Sequence, residues 1–455
     1  MPMSTMLKAA GAVAIKSDTG KTIFVKLREV GLMDIIQELL KGVPLPRMVK
    51  VRQLFPAAEV DNLTETLRAE IAKPNVGDCI KPGMRIAIAV GSRGVAEIPV
   101  IARVVGEEIS KRGGKPFIVP AMGSHGGATA EGQKQVLEDL GVTEKSTGCP
   151  IVSSMGVVEL GKLENGLAVL IDQTAHEADG IVVINRVKPH TAYRGPCESG
   201  LAKMLVIGLG KQKGADSCHA YSFKHMAANV VDMAKIKIER AKIFFGVATV
   251  ENAYDRVAKI VAVPAKELIE TDQRLLLEAK ANMPKIRFDN MDVLIVDRIG
   301  KDISGDGMDP NITGRYPTPY AYGGPEIAKV VALDLTAATH GNANGMGEGD
   351  YTTRKLFNKI DWQSTYANAL TSTVSFPVKV PIIMESDRDA ILAAIKTCFA
   401  RDLSRARVVR IKDTLHLGEI YISESMLADA RKHTEVEIIG QPEAFKFDAQ
   451  GNLHD

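Results

Sequence analysis

Three histidines and one lysine carry the reactive chemistry of this sequence. His125 lies in PAMGSHGGATAEGQ, His190 in NRVKPHTAYRG, Lys203 in ESGLAKMLVIG, and His219 in GADSCHAYSFK, 16 residues after Lys203. Two imidazoles with ordinary pKa values of about 6.5 can trade protons as general acid and base near neutral pH. The glycines around His125 let the backbone approach a ligand closely, and Pro189 fixes the chain ahead of His190. A turn histidine bonded to its own loop satisfies the same pattern. The amine of Lys203 sits between Ala202 and Met204 with Leu205 and Val206 beyond. Desolvation there favours its neutral, nucleophilic form, although a lysine snorkelling from an apolar face has the same spacing. His219 is either a metal ligand or a structural residue at a helix start. The turn GLGKQKG, with Gly208, Gly210 and Lys211, could hold a phosphate on backbone N–H groups and a lysine. A lone Gly-x-Gly is a weak signature.

Apolar runs that alternate with amphipathic stretches must position these groups. RIAIAV (residues 85–90) reads as a strand and IPVIARVVGEEISKRGG as a helix closed by Gly113. Residues 116–121 form the next strand, followed by a helix capped by Thr129, with Glu131 in its first turn, that stops at Gly141. Residues 180–185 and 242–247 add strands. This rhythm predicts an α/β fold with mostly parallel sheets and helices on both faces. In such sheets ligands bind outside the carboxyl ends of the strands. Arg93, His125 and His190 each follow a different strand end, so the three converge on one edge.

A second α/β block starts after Met283-Pro284, with strands in DVLIVDRIG, VVALDLT, ARVVRIKDT and EIYISES. LIETDQRLLLEAKANMPK reads as an exposed helix connecting the blocks. The expected division is therefore 1–285, a catalytic and cofactor-binding domain, and 286–455, a domain that completes the substrate site in a cleft between the two. The loops 298–315 and 340–354 of the second block are long, glycine-rich and charged, a pattern common in functional loops.

Composition narrows the classes. The chain has 455 residues, 45% hydrophobic and 25% charged, with a formal charge of +2, which argues against nucleic-acid partners. The longest apolar runs fall short of the roughly 20 residues that span a bilayer. The opening MPMSTMLKAAGAVAIKSDTG is read as part of the mature chain rather than a signal peptide. Five scattered cysteines form no CxxC pair, which argues against a zinc ribbon, an iron–sulfur cluster or a disulfide scaffold and for a reduced, cytoplasmic protein.

The constellation resembles the nickel-pincer-nucleotide-dependent lactate racemase family, most strongly from about residue 85 to 225. Gly123-Ser124-His125 and Lys188-Pro189-His190 match the family's two acid/base histidines. Lys203 in GLAKM matches its cofactor-linked lysine, His219 its nickel ligand, and Arg93 in GSRG its arginine. The resemblance implies a racemase or epimerase of a 2-hydroxy acid working by proton-coupled hydride transfer, with nickel-pincer nucleotide as cofactor and cofactor-synthesis enzymes as transient partners. It departs from the family at Val90, where an aspartate is expected, and has three extra residues between His190 and Lys203. At Thr313 and Gly314 a tyrosine and a glutamine are expected. The family's substrate lysine falls near Pro317, so Lys301 or Arg315 is expected to replace it, and lactate is not the expected substrate. Two other classes fit the same residues: a zinc hydrolase or lyase using His125, His190 and His219, and a noncatalytic hydroxy-acid or nucleotide-binding protein.

Overall fold

The computed structural model describes residues 12–16, 22–26, 32–92 and 94–454. The first eleven residues, where the sequence reading placed mature chain, and Arg93 lie outside the described residues.

The first sheet runs in the order Val257–Pro264, Ile243–Glu251, Gly180–Arg186, Arg85–Val90, Lys115–Pro120. Its last four strands are parallel, and only Val257–Pro264 pairs antiparallel. The central strands are near-continuous apolar runs because helices cover both faces. Ala87, Ala89, Ile181 and Val183 point into one core with Leu201, Val230 and Leu275. Ile86, Ile88, Val182 and Ile184 point into the other with Ile101 and Val105. The expected caps are in place: the Thr129 hydroxyl accepts from Gly132 N–H at the start of Ala130–Asp139, and Gly141 turns the chain at φ 78°.

Among the described residues the second sheet has eight strands: Ile382–Met384, Tyr351–Thr353, Ile327–Ala332, Met291–Val296, Val408–Ile411, Glu419–Ser423, Met48–Gln53 and Val436–Ile438. The first five are parallel and the remainder antiparallel. Two expectations need correction. Met48–Gln53 was assigned to the first domain, yet it lies between Glu419–Ser423 and Val436–Ile438, so the second unit is discontinuous in sequence. Helix Leu268–Asn282 is not an exposed connector, because Leu268, Leu275, Leu276 and Ala279 are buried against the first sheet. No helix among the described residues is long and apolar enough to cross a membrane.

Candidate active site

Loops leaving the carboxyl ends of three adjacent parallel strands form the site. Ser92 follows Arg85–Val90, His125 follows Lys115–Pro120 and His190 follows Gly180–Arg186. Ser92 Oγ and His125 Nδ1 are in hydrogen-bond contact, which ties the first two loops together. The ring of His125 remains exposed.

His190 is held at every handle. Its N–H donates to Glu198 Oε2 (2.7 Å), its carbonyl accepts from Arg194 (2.6 Å), and Nδ1 accepts from Ala192 N–H (2.9 Å). That leaves Nε2 as the nitrogen facing the site, 2.5 Å from Lys203 Nζ. Burial, then the charges of Lys203, His219, Lys188 and Arg194, hold His190 well below the usual imidazole range, so it is neutral at pH 7. His219 belongs to the same cluster. Phe223 lies 5.5 Å from its ring and 6.0 Å from that of His190. Burial, and secondarily Lys203, push His219 down to about 4. Its Nδ1 is buried without a hydrogen-bond partner, an uncommon state for an interior nitrogen. The structure thus brings His190, Lys203 and His219 together.

Lys203 is carried by a short helix, Leu201–Lys203, that widens into a π turn in which Leu209 N–H reaches Met204 C=O (2.9 Å). Such turns recur at functional sites. The buried carboxylate of Asp272 accepts from Leu201 N–H and Ala202 N–H, both at 3.1 Å, and caps its start. From below, the fully buried ammonium of Lys237 donates to Leu205 C=O (2.7 Å) and Val206 C=O (3.3 Å). Burial pushes Lys237 from 10.5 down to about 7. Between those values the unfolded chain binds more protons than the folded one, so the Lys237 contribution to stability rises with pH through that window. The melting temperature of the native protein minus that of Lys237→Met is expected to increase from about pH 6.5 to about pH 9.5. A difference that stays flat or falls contradicts this protonation behaviour.

Several expected residues are placed elsewhere. Lys211 is fully buried. Its ammonium is committed to Asp172 (3.1 Å), Pro120 C=O (2.5 Å) and Gln133 Oε1 (2.9 Å), which is a structural tie rather than a phosphate grip. Gly208 and Gly210 are there for close packing: a Cβ on Gly208 would stand 2.7 Å from Ala121 O, and one on Gly210 2.3 Å from Val206 O. Gly208 therefore presses the π turn onto the His125 loop. Arg315 donates to Ile327 C=O, Ala328 C=O and Asp350, each at 3.0 Å. That places it at the amino edge of the second sheet. Lys301 donates to Gly305 C=O and to Asn368 Oδ1 (2.6 Å) in its own loop region.

The sequence reading missed the residues that join the two units. Arg194 reaches Asn311 Oδ1 (2.6 Å), Tyr316 Oη (3.0 Å) and Tyr322 C=O (3.0 Å). Lys188 Nζ lies 4.0 Å from Asp309 Oδ2. Lys188-Pro189-His190 is legible in the sequence, but its pairing with Asp309 is a tertiary fact without a local signal.

Comparison with known proteins gives one family match. Residues 41–230, under half of the chain, match the model of the lactate racemase N-terminal domain. No curated protein matches. Two solved structures resemble the fold at 13% identity. One is a Thermotoga maritima protein, covering 69% of this chain and 83% of that one at a TM-score of 0.47. The other is the lactate racemase apoprotein from Thermoanaerobacterium thermosaccharolyticum, covering 89% and 99% at 0.46.

Proposed function

We propose, from the match of residues 41–230 to the lactate racemase N-terminal domain model, that the protein is an isomerase, a racemase or epimerase of a 2-hydroxy acid other than lactate. The observation that carries the reading is the placement of His125 and His190 on loops from one sheet edge, with Lys203 and His219 gathered around His190. A three-histidine zinc site fits less well. Among the described residues, no three His, Cys, Asp or Glu side chains form a group able to hold a metal ion.

The residues present fit a nickel-pincer nucleotide. His219 offers a neutral imidazole with a buried, unpartnered nitrogen, and Lys203 offers an amine beside it. Lys203 would tether the group and His219 would ligate its nickel. When bound, the group supplies the acceptor for the hydride that leaves the substrate Cα. The protein's own side chains do the rest. His190 meets the hydroxyl at Nε2; with Nδ1 accepting from Ala192 N–H the neutral ring carries its proton on Nε2, so taking the hydroxyl proton there requires that ring proton to move to Nδ1 as the Ala192 contact opens. His125 takes or returns the hydroxyl proton from the other face, its Nδ1 anchored by Ser92. Racemisation needs a proton acceptor on each face, which accounts for two histidines. Arg93 remains the proposed cation for the substrate carboxylate, while Lys301 is engaged by its own loop region. Lys188, two residues before His190, takes the place first assigned to Arg315.

Protein co-produced with the cofactor-synthesis enzymes and nickel, given a panel of 2-hydroxy acids, should interconvert the enantiomers of at least one of them faster than those of lactate. Chiral chromatography reads the result. Interconversion of none, or a best rate on lactate itself, would overturn the respective part of this reading.

A further inference from the structure

His190 sits in a closed loop whose base is the bridge between Lys188 and Ser199: Lys188 N–H donates to Ser199 C=O (2.7 Å) and Ser199 N–H to Lys188 C=O (3.1 Å). Inside the loop, the fully buried carboxylate of Glu198 gathers His190 N–H, Arg194 (3.2 Å) and Lys280 (2.8 Å). Arg194 is the hub. One guanidinium nitrogen holds His190 C=O and Glu198, and the other holds Asn311 and Tyr316 from the second unit. The guanidinium also lies over the Tyr316 ring, 5.0 Å from its centroid. Arg194 N–H donates to Tyr320 C=O (2.8 Å), and the Thr318 hydroxyl donates to Ala192 C=O. Asn311 in turn donates to Asp309 (2.9 Å), which faces Lys188 at 4.0 Å. The contacts close a ring that runs Lys188, Asp309, Asn311, Arg194, His190 and crosses between the two units twice.

We infer that Arg194 is a positioning residue that couples the 309–322 loop of the second unit to the placement of His190. This rests on the reading of His190 as an acid/base group. The physical basis is geometric: only a planar guanidinium with donors on separate nitrogens can hold a carbonyl on one side and an amide on the other. With Arg194 engaged, the backbone of His190 is fixed on both sides. When the 309–322 loop moves away, Arg194 loses its outer partners and His190 C=O loses a restrained donor. Any substrate that draws the 309–322 loop inward would thereby set the histidine.

The test uses variants on both sides of the interface and reads the histidine loop directly. Amide hydrogen exchange in residues 188–199 is measured in Asn311→Ala, Arg194→Met, Arg194→Lys and the Asn311→Ala/Arg194→Met double variant. Asn311→Ala, altered only in the second unit, should speed exchange in 188–199 by at least about 10-fold, because local opening becomes easier. Arg194→Lys should behave like Arg194→Met. The double variant should be no worse than the more affected single, the mark of one shared interaction. In the loaded enzyme, kcat should fall more than KM rises in Asn311→Ala. Unchanged exchange in Asn311→Ala, additive effects, or full rescue by Arg194→Lys overturns the coupling. If Arg194→Met fails to fold, Asn311→Ala alone decides. Exchange reports on the coupling even if no hydroxy acid is turned over, so failure of the functional reading shows separately as absent interconversion with coupling intact.

Discussion

His190→Ala is expected to lower enantiomer interconversion by about 10²–10⁴-fold, the range lost with a general base, and His125→Ala by a smaller factor within that range. The two variants should fail in complementary ways. Each keeps the proton acceptor on one face, so each should retain a partial reaction on one enantiomer while losing exchange between the two. The geometry gives His190 the larger expected loss. Its ring is fixed at backbone N–H, backbone C=O and Nδ1, and its Nε2 stands against Lys203, whereas the His125 ring is exposed with Ser92 at Nδ1. A base held in one orientation contributes more than one that must find it. Hydrogen at Cα should be carried through without exchange, so product formed in deuterium oxide should contain protium there. Rapid uptake of solvent deuterium at Cα would replace the hydride reading with direct deprotonation, and normal interconversion by both alanine variants would remove the histidines from the mechanism.

The strand ends that place these histidines were legible because their causes are local. RIAIAV and GIVVIN are continuous apolar runs covered on both faces, and Thr129 and Gly141 are cap residues whose roles follow from their own backbone. What escaped is non-local. Met48–Gln53 joins a strand pair from residues 419–438, and nothing within 48–53 says which sheet it will enter. Helix Leu268–Asn282 reads as exposed because Glu270, Arg274 and Glu278 are prominent in sequence, yet Leu268, Leu275 and Leu276 share a face that the first sheet covers. Arg315 is expected to bind substrate because it lies near the position of the family's substrate lysine. Asp350, 35 residues on, claims it first. Arg194 lay unremarked between His190 and Lys203 because an arginine acquires meaning only from what it meets, here Asn311 and Tyr316 from more than 100 residues away. Glycines invite the opposite error. Gly208 and Gly210 resemble a phosphate turn, but the space each leaves is filled by a carbonyl oxygen from Ala121 or Val206.

Lys203→Ala is expected to abolish any covalent cofactor adduct, and His219→Ala to lower the nickel retained per chain by at least about 10-fold, since even outer partners of metal ligands cost 10–100-fold. Intact mass and metal content read both without reliance on turnover. The arrangement supports two separable roles. A tether requires an amine with a lone pair, and Lys203 emerges from a helix start fixed by Asp272 and a π turn braced by Lys237, so its Cα is held while the side chain reaches His190 Nε2. A ligand requires a neutral ring, and burial holds His219 at about 4, so no proton competes with metal at pH 7. Its orphaned Nδ1 is the corroborating sign: a buried nitrogen left without a hydrogen bond costs on the order of 1–3 kcal/mol unless something outside the chain satisfies it. His219→Leu should therefore leave the unloaded protein as stable as the native chain or more so, while losing nickel. Alanine at 203 with the adduct mass intact would move the tether to another residue, and full nickel retention by both His219 variants would return that histidine to a structural role beside Phe223.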